Sequence, residues 1–188
     1  VDCGRLAVHA GPSWSQYGSI AGIPVYECVD NRYTGVDHWR LRDDRETRRP
    51  MAEPQQMTAA LIGAGMVART HVAACADARG VRLKGIMSRT PARAEALAPG
   101  GAVYADLDAV AADPEVDFAI IVTPPDARAD IVAPLAAAGK HILLEKPLGR
   151  TAEEARAICK LCADAGVTLG VVFQHRMRAA SRKAAKLV

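Results

Sequence analysis

A short glycine-rich segment is the first part of this sequence that could do chemistry. Residues 63–68 read G-A-G-M-V-A, a G-x-G-x-x-A pattern, directly after the apolar run 58–62. Gly63 permits a tight turn, Gly65 lets the backbone approach a pyrophosphate, and Ala68 allows close packing of helix against strand. The helix that follows would offer free N–H groups to the anion. The pattern predicts a dinucleotide site; a plain tight turn and a methyltransferase-type loop that binds S-adenosylmethionine are the alternatives.

The end of the second apolar run indicates which dinucleotide is bound. About 20 residues beyond the glycines, NAD-binding folds place an acidic residue on the ribose 2′-hydroxyl. Here residues 85–90 read G-I-M-S-R-T and contain no acid. Ser88 and Thr90 offer hydroxyl donors, and Arg89 offers a permanently charged guanidinium fork. We therefore predict NADP(H) in preference to NAD(H), although Arg89 could instead stack on adenine or lie solvated in a loop.

Two later apolar runs end in unusual tripeptides. Thr123-Pro124-Pro125 follows D-F-A-I-I-V, and Glu145-Lys146-Pro147 follows H-I-L-L. Ligands of open α/β folds bind at the carboxyl ends of the strands, where both tripeptides are expected. A lysine at such a position can act as a general acid or base. A lysine on a loop without any chemical task is the competing interpretation.

Apolar runs and helical patterns alternate along the chain after Met57, which predicts an α/β fold with a doubly wound parallel sheet. Thr151 and Glu154 have the spacing of a capping box at one helix start. The predicted strands are 58–62, 81–87, 102–104, 117–122, 141–144 and 167–173, and the predicted helices are 66–78, 91–97, 106–113, 126–138, one from 151, and 178–188.

Taken together, these motifs resemble the glucose–fructose oxidoreductase/inositol dehydrogenase (Gfo/Idh/MocA) family. The resemblance covers residues 58–188 and rests on G-A-G-M-V-A, S-R-T-P-A-R-A, T-P-P, A-A-G-K-H-I-L-L-E-K-P-L and V-V-F-Q-H-R. It implies an N-terminal Rossmann domain and reversible hydride transfer between a nicotinamide and a secondary alcohol of a sugar, cyclitol or related small molecule. A dinucleotide-binding module without turnover, or a truncated product, is the alternative.

The resemblance also implies roles for individual residues. Lys146 matches the lysine that contacts the reacting hydroxyl and assists proton transfer. Thr123 and Pro124 match the turn beside the nicotinamide ribose, and Gln174 and Arg176 match a polar segment near the nicotinamide and substrate. The complete set of expected cofactor-binding residues is Gly63, Gly65, Met66, Val67, Ala68, Ser88, Arg89, Thr90, Thr123, Pro124, Glu145, Lys146, Gln174 and Arg176.

Two departures from the family pattern stand out. The family often has a histidine four residues after the proline of T-P, where this sequence has Arg128, so the resemblance assigns that residue no role. Members also carry a second α/β domain, and the sequence ends at Val188 within the helix expected to lead into it. We therefore expect a Rossmann domain at 57–176, the start of a linker helix at 177–188 and a missing second domain. Homo-oligomers are expected only for a form that carries that domain.

Residues 1–56 have a different composition from the rest. Only 3 of the 37 alanines lie in the first 50 residues, which contain both tryptophans. No helical or strand period is sustained there. We expect a disordered or non-native extension, with an aromatic-rich cap on the next domain as the alternative.

Overall composition excludes several classes of protein. A formal charge of +3 without a basic block argues against nucleic acid as a partner. No apolar run approaches the length of a membrane span. Five scattered cysteines predict a reducing cytoplasm. Cys159 and Cys162 form a C-x-x-C within a helical stretch without further ligands, so no metal site is predicted. His71 and His141 are expected to be structural, whereas His175 is a candidate for the pocket.

Overall fold

The structure is a computed structural model that describes residues 26–29, 38–41, 56–98, 100–185 and 187. Most of the 1–56 segment, and with it the expectation of a disordered extension, lies outside the described residues. Within that segment, strand β1 (Tyr26–Val29) pairs with β2 (His38–Leu41) in an antiparallel ladder. The sequence patterns predicted no strand at either place.

Six parallel strands form the main sheet in the order β5-β4-β3-β6-β7-β8. The strands are β3 (Met57–Ile62), β4 (Val81–Met87), β5 (Ala102–Tyr104), β6 (Phe118–Ile121), β7 (His141–Glu145) and β8 (Leu169–Val172). Along the chain, β4 and β5 are added to the sheet on one side of β3, whereas β6, β7 and β8 are added on its other side. The strand order therefore reverses between β3 and β6. The predicted doubly wound parallel sheet is thereby confirmed.

One helix follows each strand of the main sheet along the chain. They are α1 (Ala68–Asp77), α2 (Pro91–Leu97), α3 (Leu107–Ala112), α4 (Arg128–Ala137), α5 (Ala152–Asp164) and α6 (Ala179–Ala184), with short 3₁₀ turns at Pro125–Ala127 and Gln174–Met177. None of the helices in the described part of the chain has the length and apolar character needed to cross a bilayer.

Alternate residues of the central strands supply two cores. Ala60 and Ile62 belong to one buried cluster, which includes Leu135 of α4 and Ile158 of α5. Ala59 and Leu61 belong to a second cluster, which includes Ala68 and Cys75 of α1. Since successive side chains of a strand point to opposite faces, both faces of the sheet are covered by helices. This arrangement explains why the strands read as nearly continuous apolar runs.

Several predicted boundaries were wrong by a few residues. The first helix begins at Ala68 rather than Met66, because the loop backbone continues through Val67. Strand β8 and helix α6 are shorter than predicted within the described residues. The helix expected from Asp126 begins instead as the 3₁₀ turn Pro125–Ala127, and α4 proper starts at Arg128.

The predicted capping box is half confirmed. The Oγ1 atom of Thr151 accepts a hydrogen bond from the Glu154 amide at 3.2 Å. The Glu154 carboxylate binds the Arg150 amide at 2.7 Å, however, and the Thr151 amide that a capping box uses contributes only a weaker hydrogen bond. The Arg150 guanidinium also binds that carboxylate and draws it toward Arg150.

Candidate functional site

Strand register brings the predicted motifs to one edge of the sheet. Ile62, at the end of β3, lies opposite both Met87 of β4 and Ile121 of β6. Ile121 lies opposite Leu144 of β7. The residues that follow these strands therefore share the carboxyl edge, where open α/β sheets bind ligands. The sequence-predicted residues gathered there are Gly63, Gly65, Met66, Val67, Ala68, Ser88, Arg89, Thr90, Thr123, Pro124, Glu145, Lys146, Gln174 and Arg176.

The turn after β3 closes against the end of β6. Gly63 has a φ of +108°, which L side chains rarely adopt. A Cβ atom on it would lie 3.2 Å from Cγ2 of Val122 and 3.3 Å from Cγ2 of Thr123. Its amide donates a 2.8 Å hydrogen bond to the Met87 carbonyl. The backbone conformation thus favours glycine at this position, and a Cβ atom would in addition crowd Val122 and Thr123.

The second glycine faces open space. A Cβ atom on Gly65 would meet nothing within 4 Å. Met66 and Val67, which follow it, have relative exposures of 97% and 40%, whereas Ala68 is fully buried. Helix α1 has no side-chain hydrogen bond at its N-cap Val67 and no acid in its first turn. Its N-terminus is therefore available to an external anion.

The segment after β4 exposes a cation beside this loop. The Oγ atom of Ser88 accepts a 3.2 Å hydrogen bond from the Thr90 amide, which bends the chain back and leaves the Ser88 hydroxyl hydrogen free to donate. Arg89 and Thr90 are exposed. A cation and two hydroxyl groups therefore follow β4.

A carboxylate at the end of β7 contacts helix α1. The Oε1 atom of Glu145 lies 3.0 Å from Nε2 of His71, and both side chains are nearly buried. Its other oxygen, Oε2, accepts a 3.0 Å hydrogen bond from the Lys146 amide. The Lys146 side chain is exposed at the same edge. His71 was expected to be structural, and no sequence pattern indicates that it meets the E-K-P segment.

The turn after β6 is held by a buried arginine. Arg128 is 2% exposed, and its Nε and Nη2 atoms donate to the Thr123 carbonyl at 3.2 and 3.0 Å. The Nη1 atom of Arg128 and the Oγ1 atom of Thr123 are buried without a hydrogen-bond partner. Burial lowers the pKa of the Arg128 guanidinium, and the charge of Glu145 partly offsets that shift. An unpaired buried polar group costs about 1–3 kcal/mol, so both atoms favour an additional polar partner at this turn.

The segment after β8 completes the edge. Gln174 and Arg176 lie in the 3₁₀ turn Gln174–Met177, and both are exposed. The Arg176 amide donates a 2.9 Å hydrogen bond to the Phe173 carbonyl. His175, the candidate between them, is exposed as well.

The residues present fit a dinucleotide at this edge. The open space at Gly65 and the uncapped start of α1 can accept a pyrophosphate. The reversal of strand order between β3 and β6 provides a crevice for a ligand. Unpaired polar atoms on Thr123 and Arg128, beside that crevice, are typical of sites that complete their hydrogen bonds with a bound molecule or an ordered water.

Comparison with known proteins decides the family. Residues 57–173 match GFO_IDH_MocA, which is described as an oxidoreductase family with an NAD-binding Rossmann fold. The chain belongs to this family. The Gfo/Idh/MocA resemblance predicted from the motifs is thereby confirmed, and so is the Rossmann fold.

Relatives of this Gfo/Idh/MocA chain are named dehydrogenases. It is 37% identical over 117 residues to the inositol 2-dehydrogenase of Rhizobium meliloti (strain 1021), a match that covers 62% of this chain and 36% of that protein. It is 40% identical over 106 residues to D-xylose 1-dehydrogenase (NADP(+)) 2 of Haloferax volcanii, covering 55% of this chain and 33% of the relative. The chain thus spans about a third of the length of these curated relatives.

A solved structure agrees with the same assignment. GenD2 from gentamicin A biosynthesis, in complex with NAD, superposes with a TM-score of 0.68 at 26% identity. The superposition covers 74% of this chain and 40% of that one. This Gfo/Idh/MocA chain therefore has the fold of a protein that binds a nicotinamide dinucleotide.

Proposed function

We propose that this chain is the cofactor-binding part of an NADP(H)-dependent oxidoreductase. The whole protein would transfer a hydride between the nicotinamide and a secondary alcohol or ketone of a sugar, cyclitol or related molecule. The observation that carries the proposal is the open space at Gly65 beside the uncapped N-terminus of α1, at the reversal of strand order. The names of the relatives, which act on inositol and D-xylose, support the substrate class.

Residues 63–68 would hold the pyrophosphate. Gly63 keeps the turn tight against β6, and the lack of a side chain on Gly65 lets the backbone approach the phosphates. Met66 and Val67 expose their backbone at the start of α1, and the buried Ala68 seats the helix against the sheet. The partial positive charge of the helix N-terminus then favours the anion.

Arg89 would select the phosphorylated dinucleotide. It follows β4 with an exposed guanidinium, and Ser88 and Thr90 place hydroxyl groups on either side. No acid stands there to repel a 2′-phosphate or to accept a hydrogen bond from a free 2′-hydroxyl. The relative from Haloferax volcanii is named as NADP(+)-dependent, which is consistent with this choice.

Lys146 would act on the proton of the reacting alcohol. When bound, the nicotinamide supplies the site that accepts or donates the hydride. The Nζ atom of Lys146 would take the hydroxyl proton during oxidation and return it during reduction. The Glu145 carboxylate fixes the Lys146 backbone by accepting a hydrogen bond from its amide. The nicotinamide end would be lined by Thr123, Pro124, Gln174 and Arg176.

A reducing cytoplasm is our proposal for the place of action. Cys75, Cys159 and Cys162 form no disulfide bond in the described part of the chain. Cys159 and Cys162 both lie in α5, and burial raises the pKa of the Cys162 thiol to about 12, so it is kept protonated. These features are typical of structural thiols rather than of a redox pair.

Titration of the chain with NADPH and NADH, followed by nicotinamide fluorescence, tests the proposal. We expect saturable binding of both, with NADPH bound more tightly. S-adenosylmethionine serves as the competitor that a methyltransferase-type loop would bind. Displacement of NADPH by S-adenosylmethionine, or absence of binding by either dinucleotide to folded protein, would refute the proposal.

A further inference from the structure

Arg128 is the residue of this edge that neither the motifs nor the resemblance assigns a role. It begins α4 and is buried, yet its nearest hydrogen-bond acceptor among the described residues is a backbone carbonyl, that of Thr123. Arginine is almost never fully buried unless it is paired. The position of such a charge beside the crevice between β3 and β6 therefore needs a functional explanation.

The sequence around Thr123 explains why the turn needs hydrogen-bond donors from the Arg128 guanidinium. Pro124 and Pro125, the next two residues, have no amide hydrogen to donate within the turn. The Nε and Nη2 atoms of Arg128 together donate to the Thr123 carbonyl. The Arg128 side chain therefore supplies hydrogen bonds that the backbone of the Thr123-Pro124-Pro125 turn cannot supply.

The Arg128 guanidinium also interacts electrostatically with Glu145, the last residue of β7. The charge of Glu145 stabilises the charged form of Arg128, which places the two groups within electrostatic reach. Glu145 uses one oxygen on His71 of α1 and the other on the Lys146 amide. Hydrogen bonds therefore join Arg128 to the Thr123 turn, and Glu145 to His71 and Lys146, while Arg128 and Glu145 interact through their charges.

We propose that Arg128 is a positioning residue, which fixes the Thr123 turn at the nicotinamide end of the site. The inference rests on the proposed function, since it assumes that a dinucleotide lies along this edge. Arg128 touches neither dinucleotide nor substrate in this account. Its effect is exerted through the Thr123 carbonyl, and it should be confined to the nicotinamide half of the ligand.

The test compares NADPH with adenosine 2′,5′-bisphosphate, a fragment that contacts the adenine end alone. Arg128→Met removes the charge and the donors while keeping an unbranched chain. We expect NADPH to bind about tenfold more weakly, because the Thr123 turn is no longer held in place, with fragment affinity unchanged. Arg128→Lys, which keeps a charged donor but lacks the fork on the Thr123 carbonyl, should recover part of the NADPH affinity.

Arg150→Met is the matched control, because Arg150 is an exposed arginine near the same edge that pairs with Glu154. It should leave both affinities unchanged. Equal losses for NADPH and the fragment, or unchanged NADPH affinity in Arg128→Met and Arg128→Lys, would overturn the positioning role. If Arg128→Met does not fold, the Lys variant decides: its NADPH affinity must fall while its fragment affinity stays. Failure of the unaltered chain to bind NADPH would instead refute the proposed function, and this inference with it.

Discussion

Gly63 and Thr123 pack against each other where the strand order reverses, so closely that a Cβ atom on Gly63 would lie 3.3 Å from the Thr123 methyl group. The contact joins the glycine-rich loop after β3 to the turn after β6. These two segments form the walls of the crevice in which open α/β sheets bind ligands. Glycine at position 63 is therefore a requirement of the fold as well as of the site.

Gly63→Ala should destabilise the chain more than an alanine at another positive-φ glycine. Gly139→Ala is the control, since Gly139 has a φ of +76° but open space around its Cβ position. Each substitution carries a backbone cost of about 1–2 kcal/mol. Gly63→Ala adds an overpacking cost of about 1–3 kcal/mol against Val122 and Thr123. Urea denaturation measures both, and equal losses of unfolding free energy would show that the packing contact is unimportant.

Gly65→Val should separate binding from folding. The Cβ position faces open space and the residue is not at positive φ, so the free energy of unfolding should change by no more than about 0.5 kcal/mol. A branched side chain there would occupy the path of the pyrophosphate, and we expect NADPH affinity to fall at least about a hundredfold. Fluorescence titration and thermal unfolding measure the two effects.

Gly65→Ala provides the graded control, because a single methyl group fills less of the same space. It should show a smaller loss of affinity at equal stability. A folded Gly65→Val protein with unaltered NADPH affinity would contradict the assignment of this loop to the phosphates.

The sheet and its carboxyl edge could be predicted from the sequence because they depend on local patterns. Continuous apolar runs indicate buried parallel strands, and positions such as Gly63 and Pro91 mark where elements change. Parallel strands then place every following loop at one edge. The motifs at 63–68, 123–125 and 145–147 were found without knowledge of any contact.

Contacts between distant side chains could not be predicted in the same way. His71 meets Glu145 across 74 residues of sequence, and nothing in either local pattern indicates the pairing. In the sequence, Arg128 resembles any other charged residue at the start of a helix. Its burial beside Thr123 becomes evident only when α4 is packed against the sheet. Packing of separate elements decides these contacts.

Asp113 should control the stability of the chain in acid. It accepts hydrogen bonds from Lys84 at 2.9 Å and from the Tyr104 hydroxyl at 2.7 Å, and these lower the pKa of its carboxyl to about 2. A folded-state pKa below the unfolded value gives stability that is present above about pH 4 and is lost as the pH falls toward 2. Asp113→Asn should cost roughly 1–3 kcal/mol at neutral pH and flatten the acid limb of the stability curve.

Asp164→Asn is the control for that experiment, because its ion pair with Lys160 is largely exposed and contributes little. It should leave the acid limb parallel to that of the unaltered chain. Thermal unfolding between pH 2 and pH 7 gives both curves. An acid limb of unchanged slope in Asp113→Asn would show that this carboxylate is not responsible.

Arg89→Ala should weaken NADPH far more than NADH. A 2′-phosphate carries nearly two negative charges at neutral pH, and an arginine can offer it paired N–H donors. Such charge-assisted bonds contribute about 1.5–3 kcal/mol, so the unaltered chain should prefer NADPH by roughly ten- to a hundredfold. Because Arg89 is exposed, rising ionic strength should reduce that preference.

Ser88→Asp extends the same argument, because the new carboxylate can still accept the Thr90 amide hydrogen that Ser88 now binds. The local turn is therefore preserved while a charge that repels the 2′-phosphate is added. The carboxylate also offers an acceptor to a free 2′-hydroxyl, so the variant should favour NADH over NADPH. Parallel titrations with both dinucleotides at low and high salt measure the change. If the unaltered chain binds NADH as tightly as NADPH at low salt, or Arg89→Ala weakens both equally, Arg89 stacks on the adenine or stays in solvent and does not select the phosphate.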